Sequence, residues 1–391
     1  MQSQASLSNI KLKIEMKKIQ MVDLKSQYEK IKDVVDASIQ EVLDTNTYIN
    51  GPKVHEFQKS LEEYLDVKHV IPCANGTDAL QIAMMGLDLK PGDEVITADF
   101  TFAATVEVIA LLQLTPVLVD VDMYNMNISI DGIRKAITPK TKAIVPVHLF
   151  GRAANMEAIM AIAKEHNLYV IEDNAQAIGA NCKFSDGTKK KAGTIGHVGA
   201  TSFFPSKNLG CYGDGGAIFT NDDALAHKLR GIVNHGMYER YHHDVVGVNS
   251  RLDSIQAAVL NAKLPLLDQY GKARQDAARK YSAAFEGHKN IIAPSICDIC
   301  DCHVFHQYTL RILDADRNGL MQHLLDKGIP CAIYYPIPLH SQKAYADTRY
   351  NEEDFPVTNQ LVTEVLSLPM HTELDDEQIA FITSSVLEYL Q

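Results

Sequence analysis

A lysine at position 207 lies in a setting that suits covalent chemistry. It ends the segment TSFFPSK (201–207) and precedes a glycine-rich stretch, GCYGDGGAIFT (210–220). A lysine amine can form an imine with a carbonyl carbon when the surrounding protein activates it. The alternative is a solvated loop lysine, which is the usual place for this residue type. The apolar and glycine-rich flanks of Lys207 favour the chemical role.

Two acids, Glu172 and Asp173, end an apolar run, VIED (170–173). In open α/β sheets, ligands bind beside the carboxyl ends of the strands, so a catalytic carboxylate is expected at this place. An aspartate there can instead cap the helix that follows. This motif alone leaves both interpretations open.

The segment CANGTDAL (73–80) connects a predicted strand to a predicted helix. Gly76 permits a sharp turn, and the free N–H groups at a helix start, with the Thr77 hydroxyl, suit a phosphate. A capped helix without a ligand is the alternative.

Together the three segments fit one cofactor, pyridoxal phosphate. This cofactor needs a lysine for the imine, an acid at the pyridine nitrogen, a phosphate cup and an aromatic cover. Phe102, in DFTF (99–102), follows another predicted strand and could supply the cover. A core phenylalanine is an equally good interpretation of that residue.

The elements that must position these residues form an alternating pattern. The predicted strands are 69–73, 94–99, 115–121, 142–150, 168–173, 199–204 and 215–220. The predicted helices are 23–45, 53–65, 78–88, 102–113, 155–166 and 222–233. Strands that are apolar on both faces and separated by helices indicate an α/β fold with a mostly parallel sheet.

A second pattern follows and predicts a smaller C-terminal α+β domain. Its predicted strands are 291–293, 303–313 and 331–335, and its predicted helices are 268–286, 317–327, 356–366 and 375–389. We expect a disordered arm or an over-long start at 1–20. The N-terminal helices and the large domain then occupy 21–265, and the small domain occupies 266–391.

Composition narrows the class of protein. The 391 residues are 46% hydrophobic and carry a formal net charge of −12, which argues against general binding to nucleic acid or anionic lipid. No run approaches the roughly 18 apolar residues that span a bilayer. The N-terminus lacks the apolar core of a secretion signal. We therefore expect a cytoplasmic enzyme with no membrane partner.

Seven cysteines are present, and three of them, Cys297, Cys300 and Cys302, lie close to His303 and His306. A zinc site is one interpretation of this cluster. There is no second CxxC motif, and the segment leads into a predicted strand, so we expect reduced thiols and no metal.

The order of motifs resembles the sugar aminotransferases of the DegT/DnrJ/EryC1/StrS family. The matching motifs include NGTDAL, PGDEVI, TFAAT, IEDNAQAIGA, SFFPSKNLGCYGDGGAI and NSRLDSIQAAVL, with weaker matches in HQYTLR, YYPIPLH and LSLPMH. The resemblance implies a fold type I aminotransferase that uses pyridoxal phosphate. It also implies a homodimer with active sites at the subunit interface and glutamate as the amino donor.

The same resemblance implies roles for individual residues. Lys207 matches the lysine that binds the cofactor, Asp173 the acid at the pyridinium nitrogen, and Gln176 the residue near the phenolic oxygen. The other cofactor contacts implied are Gly76, Thr77 and Ser202 in the phosphate cup, Phe102 on the ring, and Asn249 from the other subunit.

The segment NSRLD (249–253) resembles the branch that aminates 3-keto nucleotide sugars. Further motifs resemble enzymes that act on UDP-2-acetamido-2-deoxy-3-oxo-glucuronate for O-antigen synthesis. Arg251 can offer a bidentate fork to the carboxylate of such a sugar, or form a structural ion pair instead. The other implied substrate contacts are Asn46, Tyr48, Ser206, Tyr334 and Tyr335. Asn46 and Tyr334 depart from the pattern, which has Gly and His there.

Two alternatives remain at this point. One is an aminotransferase for a dTDP-3-keto-6-deoxyhexose, in which Arg251 would need another partner. The other belongs to a different class of protein, a non-catalytic regulator that binds pyridoxal phosphate.

Overall fold

A computed structural model describes residues 17–296 and 302–391. Its helices are α1 Leu24–Thr45, α2 Pro52–Leu65, α3 Gly76–Gly86, α4 Ala104–Leu111, α5 Ile130–Ala136, α6 Met156–His166, α7 Asp223–Ile232, α8 Ser254–Lys263, α9 Leu267–Phe285, α10 Arg317–Asp326, α11 Pro356–Glu364 and α12 Asp376–Tyr389. Its strands are β1 His69–Cys73, β2 Glu94–Ala98, β3 Thr115–Val119, β4 Thr141–Val145, β5 Tyr169–Asp173, β6 Asn181–Lys183, β7 Lys189–Lys191, β8 Val198–Ser202, β9 Gly216–Thr220, β10 Met237–Glu239, β11 His242–His243, β12 Ile291–Ile292, β13 Tyr308–Ile312 and β14 Val365–Leu368.

The large sheet contains seven strands in the order β1-β9-β8-β5-β4-β2-β3. Pairing is parallel from β8 through β5, β4 and β2 to β3, and only β9 runs antiparallel to both of its neighbours. The predicted α/β fold with a mostly parallel sheet is confirmed.

Neighbouring residues of one strand pack into different hydrophobic cores. In β5, Val170 belongs to one core and Ile171 to another, and in β2 the same holds for Ile96 and Val95. Because successive side chains of a strand point to opposite faces, the sheet carries a core on each face. This explains why the strands are apolar on both faces.

The strand directions bring the predicted motifs to one edge of the sheet. Since β9 is antiparallel to β1 and to β8, strands β1, β2, β5 and β8 all run in the same direction. Their carboxyl ends therefore lie at the same edge of the sheet, as the sequence motifs require.

The C-terminal region has its own sheet, with β13 between β12 and β14 and antiparallel to both. It shares a core with residues of α9, α10 and α12. Ile19 is buried in the same core, so residues 17–20 lie against this region, while residues 1–16 of the expected arm lie outside the described residues.

Three predicted elements of the C-terminal region differ in the structure. The predicted strand 303–313 is too long, because it forms only β13, Tyr308–Ile312. The predicted strand 331–335 is wrong, because only Ala332 forms a bridge, to Ser367. The predicted helix 356–366 is too long, because the chain leaves α11 at Glu364 and pairs as β14 with β13. At β14, pairing with β13 decides the local structure and overrides helix propensity, whereas the segment 331–335 forms no ladder beyond the bridge at Ala332.

Cys297 and Cys300 lie outside the described residues, so the structure does not test the zinc interpretation as a whole. Within residues 17–296 and 302–391, no group of three His, Cys, Asp or Glu side chains could hold a metal ion. No helix in the same ranges is long and apolar enough to cross a membrane.

Candidate active site

A cavity of about 650 Å³ opens at the edge where the strands end. Ten of the predicted site residues line it: Gly76, Thr77, Phe102, Asp173, Gln176, Ser202, Ser206, Lys207, Tyr334 and Tyr335. They come from separate parts of the chain, so the fold brings the predicted motifs together in one place.

Lys207 lies in a turn after β8, where its backbone N–H donates to the carbonyl of Phe204 at 2.8 Å. The side chain keeps some accessible surface because it lines the cavity, yet it lies deep enough for burial to lower the pKa of its amine to about 8. The negative charge of Asp173 opposes this shift. The neutral amine, the form that acts as a nucleophile or proton acceptor, is therefore far more populated near pH 7 than in an ordinary lysine, although the charged form still predominates.

Asp173 ends β5 and is 6% exposed. Its Oδ2 accepts a hydrogen bond from Thr105 Oγ1 at 2.8 Å, and its Oδ1 accepts one from the backbone N–H of Ala175 at 3.1 Å. These two bonds fix the orientation of the Asp173 side chain at the cavity.

The start of α3 forms the next part of the cavity wall. The side chain of Asn75 caps this helix by accepting from the N–H of Asp78 at 2.8 Å. A Cβ at Gly76 would lie only 2.7 Å from Cβ of Ser202, so a glycine is needed where α3 meets the end of β8. The N–H groups at the helix start and the Thr77 and Ser202 hydroxyls can together hold an anion.

Aromatic rings cover another side of the cavity. Phe102 is 58% exposed, and its ring centroid lies 6.2 Å from that of Tyr335. Tyr335 Oη accepts a hydrogen bond from Gln176 Nε2 at 3.1 Å, and Gln176 Oε1 accepts one from the N–H of Phe150 at 2.5 Å. A large exposed phenylalanine at a cavity favours the role of a ring cover over that of a core residue.

Four predicted site residues do not line the cavity of the single chain: Asn46, Tyr48, Asn249 and Arg251. They lie on two segments that pair with each other through a bridge between Ile49 and Asp253. Within the first segment, the hydroxyl of Tyr48 donates to Asn46 Oδ1 at 3.0 Å. Ser250, between Asn249 and Arg251, accepts from the N–H of Ala74 at 3.0 Å, just before α3.

The structure adds cavity residues that the sequence reasoning missed, among them Thr101, His306 and Gln307. Each has a buried polar atom with no hydrogen-bond partner among the described residues: Thr101 Oγ1, His306 Nδ1 and Gln307 Oε1. Burial, with the charges of Lys207 and Arg274, lowers the pKa of His306 well below its usual range, so the ring is neutral. The motif HQYTLR contained both of the latter residues, but the sequence did not show that they reach the cavity.

Comparison with known proteins gives consistent results. Residues 29–387 match the DegT/DnrJ/EryC1/StrS aminotransferase family. The chain is 46% identical to the UDP-2-acetamido-2-deoxy-3-oxo-D-glucuronate aminotransferase of Pseudomonas aeruginosa over 94% of this chain and 99% of that protein. It is 44% identical to the UDP-N-acetyl-3-dehydro-alpha-D-glucosamine 3-aminotransferase of Acidithiobacillus ferrooxidans over 94% of this chain and 97% of that protein.

A third relative is named as a regulatory protein and not as an aminotransferase. It is the pleiotropic regulatory protein of Geobacillus stearothermophilus, 44% identical over 95% of this chain and 98% of that protein. Among solved structures, NtdA from Bacillus subtilis with bound cofactor PMP is 29% identical. It aligns with a TM-score of 0.88 over 96% of this chain and 86% of that chain. The match to the family covers most of the sequence, so the chain belongs to the DegT/DnrJ/EryC1/StrS aminotransferase family.

Proposed function

We propose that this protein is a pyridoxal phosphate-dependent aminotransferase that transfers an amine from glutamate to a 3-keto nucleotide sugar. The observation that carries the proposal is the cavity in which Lys207, with its lowered pKa, and the buried Asp173 lie together. The unpartnered atoms of Thr101, His306 and Gln307 fit a polar group bound there.

Each part of the cavity suits one part of the cofactor. Gly76, Thr77 and Ser202 would hold the phosphate at the start of α3, and Phe102 would cover the ring. Gln176 would contact the phenolic oxygen. Asn249, from a second subunit, would complete the phosphate cup.

Pyridoxal phosphate bound in this way supplies an electron sink for the α-carbon of the amino donor. The carboxylate of Asp173 would keep a proton on the pyridine nitrogen. The neutral Nζ of Lys207 would take the proton from the donor α-carbon and later return one to the sugar carbon.

The relatives from P. aeruginosa and A. ferrooxidans both have names that specify UDP-linked 3-keto sugars, which supports this class of acceptor. We propose UDP-2-acetamido-2-deoxy-3-oxo-glucuronate as the substrate, in the cytoplasm, for O-antigen synthesis. Tyr48, Ser206, Tyr334 and Tyr335, with Asn46, are the proposed sugar contacts. Purified protein assayed with glutamate against UDP- and dTDP-3-keto sugars tests this, and a preference for the dTDP sugars would favour the 6-deoxyhexose alternative.

The regulatory relative makes one further alternative testable, a chain that binds the cofactor without turnover. Glutamate should remove the visible absorbance band of the bound cofactor if this protein is an aminotransferase. A band that persists with glutamate and every keto sugar would favour the regulator.

We expect Arg251→Ala to reduce kcat/KM for the uronate sugar by roughly ten- to a hundredfold, because a charged hydrogen bond contributes about 1.5–3 kcal/mol. The comparison uses the 3-keto uronate and its neutral 6-hydroxy counterpart, with wild type and variant. The neutral sugar should be nearly unaffected by the change. Equal losses on both sugars would contradict a carboxylate contact.

The proposed dimer predicts complementation between inactive subunits. Lys207→Ala and Asn249→Ala subunits are each expected to be inactive alone, whereas a hybrid dimer has one intact site. After subunit exchange, an equal mixture should recover about a quarter of wild-type activity, because half of the dimers are hybrids with one of two sites intact. Mass spectrometry of the intact dimer verifies the exchange, and exchange without recovery would contradict a shared site.

A further inference from the structure

Outside the proposed chemistry, a buried ion pair joins two distant parts of the chain. Asp99, directly after β2, has a fully buried side chain. Its Oδ2 lies 2.7 Å from Nδ1 of His340, and its Oδ1 accepts from the backbone N–H of His340, also at 2.7 Å. The carbonyl of Asp99 accepts a third bond, from the N–H of Leu339 at 3.3 Å.

The other side of His340 is held as well. Nε2 lies 3.3 Å from Oε2 of Glu352, and the ring stacks on Phe355 with centroids 4.4 Å apart. Since carboxylates face both ring nitrogens, the imidazolium form satisfies both as a donor. Burial lowers the pKa of His340, but Asp99 and Glu352 outweigh it and the net shift is upward. Burial also raises the pKa of Asp99, and the charge of His340 opposes that shift.

Each partner of this ion pair lies close in sequence to a predicted site residue. Asp99 stands three positions before Phe102, and His340 stands five positions after Tyr335. The ring of Tyr335 lies 6.2 Å from the ring of Phe102 between centroids, and its hydroxyl accepts a hydrogen bond from Gln176. The segment 334–340 is therefore fixed at one end by His340 and at the other by contacts inside the cavity.

We propose that His340 is a positioning residue that clasps the segment carrying Tyr334 and Tyr335 against the carboxyl end of β2. It does not line the cavity, so it acts through the two tyrosines. Loss of the imidazole removes the only side chain among the described residues that the structure shows bonded to the buried Asp99 carboxyl, and this weakens the hold on the segment. The identity of the ligand whose binding is weakened rests on the proposed function. The contact by which His340 holds the segment, which we call the clasp, does not depend on it.

The test compares three variants. His340→Ala should raise KM for the 3-keto sugar about tenfold, while kcat changes by less than about threefold, because Lys207 and Asp173 lie on other loops. His340→Asn retains a donor for Asp99 and should recover most of the affinity. Tyr350→Phe is the matched control, since it removes the bond that Tyr350 Oη donates to the carbonyl of Pro116 and the bond that it accepts from the N–H of Leu118, both in β3.

Hydrogen exchange of the segment 334–340 gives a readout that needs no substrate. The N–H groups of Leu339 and His340 should exchange faster in His340→Ala than in wild type, and remain protected in Tyr350→Phe. If exchange and KM in His340→Ala match those of Tyr350→Phe, the clasp is wrong. If no sugar is aminated by wild type, the proposed function fails, and the exchange result still decides the clasp.

Discussion

Lys207→Ala is expected to reduce turnover by about 10⁴-fold, the upper end of the range for loss of an acid–base group, while the protein stays folded. The variant should also lose the visible absorbance of the bound cofactor. The reason is that the Nζ of Lys207 is the amine with lowered pKa that lines the cavity. Steady-state rates, absorbance spectra and thermal unfolding measure the three effects.

The chain offers a matched control in a second buried lysine. Burial lowers the pKa of Lys263 to about 8 as well, but its Nζ donates to the carbonyl of Gly210 at 2.8 Å and lies 4.5 Å from the ring centroid of Tyr212. Borohydride reduction and peptide mapping should recover the cofactor on Lys207 and not on Lys263. Recovery on Lys263, or near-normal turnover of Lys207→Ala, would overturn the assignment.

Asp173→Asn is expected to slow turnover by at least about a hundredfold, roughly 2.7 kcal/mol of barrier. The amide keeps the shape of the carboxylate but lacks the charge that would hold the pyridinium proton. The pKa of Lys207 should also fall, because Asp173 is the charge that raises it against burial. Steady-state rates measure the loss of turnover, and the pH dependence of the rate at which added cofactor forms the imine measures the pKa of the Lys207 amine.

Thr105→Val separates the charge of Asp173 from its orientation. It removes the bond from Thr105 Oγ1 to Asp173 Oδ2 and leaves the carboxylate in place. A hydrogen bond to a charged group contributes about 1.5–3 kcal/mol. Because the N–H of Ala175 still holds Oδ1, we expect a loss near the lower end of that range, roughly tenfold, so this variant should remain more active than Asp173→Asn. If the two variants are equally slow, orientation and not charge is the contribution of Asp173.

The sequence predicted the strand-end half of the site well, for a physical reason. Gly76, Asp173 and Ser202 stand at the ends of short apolar runs, and the carboxyl ends of strands with one direction must meet at one edge. Each of these residues lies at or just after the end of the strand that positions it, so a short stretch of sequence predicts both the strand and the place of the residue.

The positions of the other site residues depend on packing between distant parts of the chain, which a local sequence pattern does not predict. His306 and Gln307 reach the cavity only because the C-terminal region packs against the large sheet. The strand β14 was missed because its pairing with β13 joins residues more than fifty positions apart. The positions of Asn249 and Arg251 relative to a site depend on a second copy of the chain, so their roles stay predictions.

The tight meeting of α3 with the large sheet affects the entropy of ligand binding. Gly76 lies against Ser202, and a Cβ at Gly216 would meet the backbone of Asn75 at 2.4 Å, so the helix start is fixed by backbone packed on backbone. An anion that binds there orders few rotatable bonds, since the donors are already in place. Capture of a phosphate at this end of the cavity should therefore cost little conformational entropy.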